Sequence, residues 1–293
     1  MRVLVIGGTG FIGTHIVRQL VDHDHVVAVY HRGCTQAVLP NHVHQILHPR
    51  SVMPIQKFPK KLFEFGPDVV VHTLAMGAAD AEGAVRAFAG RTGRLVLLSS
   101  GDVYRAYGRF TRFEPGTPEE GLLSEDAPLR TKLFLYRAQA ASEEALEYWY
   151  EKILAESAVR SDPALPATIL RLPKVYGPGG DEDLSTIYRY RQQPNWRWTH
   201  GFVENVAAAV ALAATHPSAA GRVYNVGEAS TPRIAERLEW MPPPSAIEPD
   251  LSSPFDFTQN IAYDTSRIRT ELGYREIVSE EEAVFRTLRV GAR

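Results

Sequence analysis

Apolar and polar positions along the chain alternate between two rhythms. Short runs rich in β-branched residues, Arg2–Ile6, Val26–Tyr30, Asp68–His72, Arg94–Ser99 and Pro166–Leu172, have the length of strands buried on both faces. Between them, apolar residues recur at helical spacing: Ile12, Ile16, Val17 and Leu20 after the first run, and the alanine-rich Ala78–Ala89 before the fourth. Ala207–Thr215 reads as another helix and Arg222–Val226 as a late strand. Strands and helices in alternation predict an α/β fold, a doubly wound parallel sheet. Two segments lose the rhythm. Residues 105–131 mix Gly, Pro, Glu and Arg and read as an excursion from the sheet. Residues 239–260, with Pro242, Pro243, Pro244, Pro249 and Pro254, read as an irregular part of a smaller C-terminal lobe. The expected division is a sheet domain over 1–172, with 201–226 and about 259–266 returning to it, and a substrate lobe over 173–200 and 227–293.

Chemistry enters at the first turn. Gly7, Gly10 and Gly13 follow the first strand and open the first helix. Gly7 permits the turn, Gly10 lets backbone N–H groups approach a pyrophosphate, and Gly13 lets helix and sheet pack closely. The spacing therefore predicts a Rossmann-type dinucleotide site. The second strand ends Tyr30-His31-Arg32-Gly33, with no carboxylate to bind the ribose hydroxyls. A guanidinium there can pair with a 2′-phosphate, so His31 and Arg32 point to NADP(H), with NAD(H) the alternative and a solvated arginine the plainer reading.

Bulk composition narrows the class. The chain has 293 residues, 44% apolar and 23% charged, with a formal net charge of −2. No basic excess points to nucleic acid, and no run approaches the length of a membrane span. A lone cysteine, Cys34, fits a reducing cytoplasm, and the glycine turn interrupts any secretory apolar core. The histidines lack metal-ligand spacing, so no metal is expected. The expected partners are a small-molecule substrate and, as an option, a second copy of the chain in a homodimer.

Two further motifs concern the reaction centre: Ser99-Ser100-Gly101-Asp102-Val103-Tyr104 after the fourth strand, and Tyr148-Trp149-Tyr150-Glu151-Lys152, a Y-x-x-x-K spacing. A phenol titrates near 10, and an ammonium one helical turn away stabilises its phenolate. On a single helical wheel, Leu146, Trp149, Tyr150, Ile153 and Leu154 form an apolar stripe. Tyr148, Lys152 and Glu156 share the opposite side, so Tyr148 is the expected acid/base; Tyr150 is the alternative if the helix is distorted.

Together these motifs resemble the extended short-chain dehydrogenase/reductase superfamily, in its NAD(P)-dependent epimerase/dehydratase branch. Leu170-Arg171-Leu172-Pro173-Lys174-Val175-Tyr176-Gly177-Pro178 is similar to its LRxxxVYGP segment, and Tyr224-Asn225-Val226-Gly227 to its YNVG strand. Asp264-Thr265-Ser266-Arg267 through Glu271-Leu272-Gly273-Tyr274 is similar to its C-terminal DTSK…LGW helix. The resemblance implies a serine that binds the substrate oxygen, here Ser100, and a lysine that also holds the nicotinamide ribose, here Lys152. Asp102 stands where dehydratase members carry an acid. It further implies coenzyme contacts at Thr9, Phe11, Ile12, Leu74, Ala75, Pro173 and Val175. Two departures stand out. Segment 105–131 lengthens the chain between Ser100 and Tyr148, as a lid or recognition loop would. Trp198-Thr199-His200-Gly201-Phe202-Val203-Glu204-Asn205-Val206-Ala207 lacks the arginine and aspartate of the RDFVHVDDVA segment, which argues against a standard nucleoside-diphosphate-sugar. Two functions follow: an oxidoreductase, epimerase or dehydratase working by hydride transfer, or a non-catalytic NAD(P)-binding sensor or scaffold.

Overall fold

The computed structural model describes residues 1–48, 53–180, 184–243 and 247–290. In chain order the first half forms β1 (Arg2–Ile6), α1 (Phe11–Asp22), β2 (Val26–His31), β3 (His44–Leu47), α2 (Lys60–Phe65), β4 (Val69–His72), α3 (Ala78–Phe88), β5 (Arg94–Ser100) and α4 (Arg105–Phe110). Then come α5 (Leu146–Trp149), α6 (Lys152–Val159), β6 (Ala167–Leu172), β7 (Lys174–Tyr176) and α7 (Ser185–Arg189). Last are β8 (His200–Phe202), α8 (Val203–Thr215), β9 (Val223–Asn225), α9 (Ile234–Leu238), α10 (Ser266–Leu272) and α11 (Glu280–Val290).

Seven of the strands form one sheet, ordered β3-β2-β1-β4-β5-β6-β9, and every pairing is parallel. This is the Rossmann-type doubly wound sheet. Val3, Leu4, Val5 and Ile6 of its central strand are all fully buried, as β-branched and apolar side chains must be when helices cover both faces. Ile16, Val17 and Leu20 of α1 pack with the alanines of α8 in one hydrophobic cluster. Leu62, Ala84, Phe88 and Ala155 fill another with the remaining sheet side chains. A third cluster is aromatic. Phe110 stacks on Trp196 at 5.0 Å, and Tyr190, Phe255 and Phe257 surround the pair.

Strand β3 escaped the pattern reading because only Ile46 of its four residues is buried, which leaves no apolar run to detect. Helix α8 begins at Val203, a turn before the alanine-rich stretch. Segment 105–131 opens with α4 and returns beside β5 through an antiparallel bridge between Tyr104 and Leu129. The proline-rich segment forms no helix or strand over residues 242–243 and 247–260; Pro244 lies outside the described residues. Ile261 bridges Trp198 and Tyr263 bridges Leu123, both outside the seven-stranded sheet.

Sheet order decides where a ligand sits. The order in which strands are added reverses between β1 and β4, from β1-β2-β3 on one side to β4-β5-β6 on the other, so the crevice at their C-terminal ends is a topological switch point. Gly7, the Thr73–Ala75 turn and Ser100 all emerge at that edge.

Candidate active site at the strand ends

The glycine loop is shaped by close approach. Gly7 has φ +88°, and a Cβ on it would lie 2.2 Å from Thr73 Oγ1. A Cβ on Gly13 would lie 2.3 Å from the Gly7 carbonyl, so only glycine lets the helix meet the loop. Gly10 is different: a Cβ there would meet nothing nearer than 3.9 Å, so the space above it is open. It caps α1 without a side-chain hydrogen bond, and the first turn holds no acid. The backbone N–H groups and the positive end of the helix dipole are thus left for an anion. Alongside lies a cavity of about 130 Å³ lined by Gly7, Thr9, Gly10, His31, Arg32 and Leu74. Arg32 is exposed and makes no ion pair among the described residues. These residues fit a dinucleotide: a pyrophosphate would be held at the open backbone of Gly10, and a ribose at the end of β2 would lie near Arg32.

The remaining coenzyme candidates are spread around this edge. Phe11 lies against the turn at Gly180, where a Cβ would approach its ring to 2.8 Å. Ile12 packs against the core. Pro173 lies where β6 passes into β7, against Gly201 and Gly227. Val175 follows in β7, paired with Gly201. The carbonyl of buried Ala75 accepts from Lys152 Nζ at 2.8 Å, and the Leu98 carbonyl does so at 2.9 Å. An ammonium has three N–H donors, so one remains. Burial lowers this ammonium to about 8.

Tyr150, Asp102 and Lys152 are brought together here. The Tyr150 hydroxyl donates to Asp102 Oδ2 at 2.8 Å, and Lys152 Nζ lies 5.8 Å from the centre of the Tyr150 ring. Ser100 accepts from the Asp102 backbone N–H at 3.3 Å and hydrogen-bonds the phenol. The Tyr136 hydroxyl lies 3.3 Å from Asp102 Oδ2 and 3.4 Å from the Tyr107 hydroxyl. Burial, then the neighbouring Asp102 charge, pushes the Tyr150 phenol well above its usual range. Burial also raises Asp102, against the opposing pull of Arg130. Asp102 Oδ1 is buried with no partner among the described residues.

Tyr148 is not in this group. It sits at the surface, its hydroxyl 3.2 Å from Glu143 and its ring under the Arg137 guanidinium. The wheel that favoured it assumed one continuous helix. Instead α5 ends at Trp149, Tyr150 and Glu151 are extended, and α6 begins at Lys152. Glu151 causes the break. It is fully buried, donates its N–H to the Met76 carbonyl, and caps α6 by accepting from Ile153 N at 3.1 Å. Its carboxylate also accepts from Phe134 N and from Arg130 at 2.9 Å. Of the polar side of the wheel, Lys152 and Glu156 turn inward, 5% and 3% exposed.

Sequence reasoning missed Arg130, Glu151, Tyr136 and Tyr107. Arg130 and Tyr136 come from the chain between α4 and α5, where no periodicity marks which polar residues turn inward, and Tyr107 comes from the six-residue helix α4. Glu151 alone left a trace, as an acidic residue standing just before a helical run. Glu156 anchors a second network beneath the site. It accepts from Ser99 Oγ at 2.6 Å and pairs with Arg171 at 2.8 Å, both residues 3% exposed.

A glycine-loop crevice beside a half-buried tyrosine and serine and a buried lysine defines a dinucleotide-binding α/β protein of the short-chain dehydrogenase/reductase type. The model of the NAD dependent epimerase/dehydratase family matches residues 3–227, and the chain belongs to that family of NAD(P)-dependent enzymes. It is 30% identical over 186 residues to a 2′-dehydrokanamycin reductase of Streptomyces kanamyceticus, a match covering 62% of this chain and 45% of that one. The match thus spans less than half the length of that relative. Among solved structures, UDP-glucose 4-epimerase of Thermus thermophilus in complex with NAD superposes with a TM-score of 0.69 at 22% identity, covering 99% of this chain and 98% of that one. WbmG of Bordetella bronchiseptica in complex with NAD gives 0.70 at 18% identity, over 100% and 94%. Among the described residues no helix is long and apolar enough to cross a membrane.

Proposed function

We propose that the protein is an NADP(H)-dependent oxidoreductase that reduces a carbonyl carbon of a small, sugar-like substrate, with Tyr150 as the proton donor. The observation that carries this reading is the Tyr150 hydroxyl, 2.8 Å from Asp102 beside the Lys152 ammonium. The bound nicotinamide supplies the hydride. Around it, Ser100 orients the substrate oxygen and Tyr150 delivers a proton to that oxygen as negative charge develops. A phenol is protonated at neutral pH, so Tyr150 has a proton to give. Lys152 keeps one N–H for the ribose and offsets the phenolate charge left on Tyr150. Asp102 accepts the Tyr150 hydrogen bond and holds the hydroxyl in place, and the phenolate left after the transfer regains its proton from solvent. The name of the curated relative supports a reductase, and the NAD complexes of the structural neighbours support the coenzyme class. The region of the third cluster reads as the substrate lobe, and segment 105–131 borders the site through Tyr107 and Arg130.

Coenzyme choice rests on Arg32. Arg32→Ala should weaken NADPH binding by roughly 10- to 100-fold, the worth of a charge-assisted hydrogen bond, while leaving NADH nearly unchanged. Titration of both coenzymes by fluorescence checks this, and equal losses would remove Arg32 from 2′-phosphate recognition. Consumption of NADPH with a panel of keto-sugars tests the activity itself. Tight NADPH binding without turnover across that panel would favour the coenzyme-sensing alternative.

A further inference from the structure

A second cavity, of about 270 Å³, opens beside β7 and β8, and its wall is unlike that of the coenzyme crevice. Its polar lining includes Tyr176, His200, Glu228, Ser230, Glu276 and Glu280, and no lysine or arginine lines it among the described residues. Two arginines stand behind the wall, and both are paired with its carboxylates. Arg237 is 3% exposed at its side chain and donates to Glu228 and, at 2.8 Å, to Glu280. Arg269 is held by Glu276, Thr265 and the Gly227 carbonyl. Three carboxylates therefore share two guanidiniums, so this wall carries more negative than positive charge, which disfavours a phosphate.

His200 adds an independent sign of an absent group. It is 1% exposed, and its Nδ1 lies 2.6 Å from the Trp198 carbonyl oxygen, which can only accept. That contact places the proton on Nδ1. Burial and the nearby Arg237 hold the ring neutral, which leaves Nε2 a bare acceptor. Nε2 is buried and has no hydrogen-bond partner among the described residues. A buried acceptor left unmade is costly, so a wall that keeps one is built for a donor that arrives with a ligand.

We propose that this cavity binds a ring bearing a protonated amine beside hydroxyl groups, an amino sugar or aminocyclitol, through Glu228, Glu280 and His200. Burial raises Glu228 to about 7, against the pull of Arg237, so an entering cation settles beside a carboxylate that it drives toward ionisation. Trp198 links the cavity to the reaction centre, its ring 6.4 Å from His200 and 6.2 Å from Tyr107, which in turn neighbours Tyr136. The inference rests on the proposed reductase only in taking the bound ring to be the remote part of its substrate.

The test is a ligand-observed NMR titration of the full chain, loaded with NADPH, using glucosamine, glucose and UDP as probes. Glucosamine should bind about tenfold or more tighter than glucose, and UDP should not displace it. Glu280→Gln and Glu228→Gln should each weaken glucosamine by about 10- to 100-fold, as loss of one charge-assisted hydrogen bond does. Glu280 is 40% exposed at its side chain, so its variant keeps the fold even if the buried one does not. Equal binding of glucose, displacement by UDP, or an unchanged Glu280→Gln titration would overturn the assignment. The titration requires no turnover. Failure here leaves the Tyr150 chemistry standing, and a catalytically inert protein that still titrates leaves this site standing.

Discussion

Tyr150→Phe should lower turnover by about 10²–10⁴-fold, the usual worth of a general acid, while NADPH affinity stays nearly unchanged. The substitution keeps the ring that packs edge-on against Tyr136 at 5.4 Å and removes only the proton delivered to substrate. Tyr148→Phe is the decisive control. It occupies the Y-x-x-x-K position, yet its side chain meets Glu143 and Arg137 away from the reaction centre, so its loss should change turnover less than about twofold. Steady-state rates of the two variants, with NADPH binding measured beside them, separate the assignments. A large loss in Tyr148→Phe with a normal Tyr150→Phe would reverse them.

The second large effect concerns stability. Glu156→Leu would leave Arg171 buried without its carboxylate and Ser99 without its acceptor. Breaking a buried pair by removing one partner costs about 3–5 kcal/mol, because the surviving charge cannot be solvated. Arg171 also donates to the Glu125 carbonyl at 2.8 Å and lies over the Tyr104 ring, so it is fixed in place and cannot swing out to water. Replacing both partners, Glu156→Leu with Arg171→Met, should recover part of the loss, as apolar substitution of a whole pair does. Urea denaturation with equal slopes measures both. A single variant within about 0.5 kcal/mol of the parent would show that the pair is not what holds β6 to α6.

The sheet was legible because its strands are buried on both faces: Val3–Ile6, Val69–His72 and Leu95–Leu98 are continuous buried runs, apolar but for His72, that solvent would reject. The glycine loop was legible because backbone sterics admit only Gly7 and Gly13 there. Strand β3 was not, since three of its four residues face water. At the reaction centre, Ser100, Asp102 and Lys152 could be named from spacing, but the tyrosine could not be chosen by it. A wheel presumes unbroken helix, and the break at Tyr150–Glu151 is imposed by Arg130 and Met76, distant in sequence. Of the polar residues that shape the cluster, Tyr136 and Arg130 lie where neither period 2 nor period 3.6 operates, and Tyr107 sits on α4, a helix of six residues. Their burial is a tertiary event, fixed by Glu151 and Asp102, and leaves no local mark.

The most direct test of the Tyr150 assignment is a crystal structure of the protein with NADP(H) bound. The 2′-phosphate should lie against Arg32, and the ribose of the nicotinamide within hydrogen-bonding reach of Lys152 Nζ. The Tyr150 hydroxyl should stand beside the nicotinamide ring with Ser100 on the same side. A nicotinamide lying closer to Tyr148 than to Tyr150, or a coenzyme whose 2′-phosphate leaves Arg32 untouched in solvent, would contradict it.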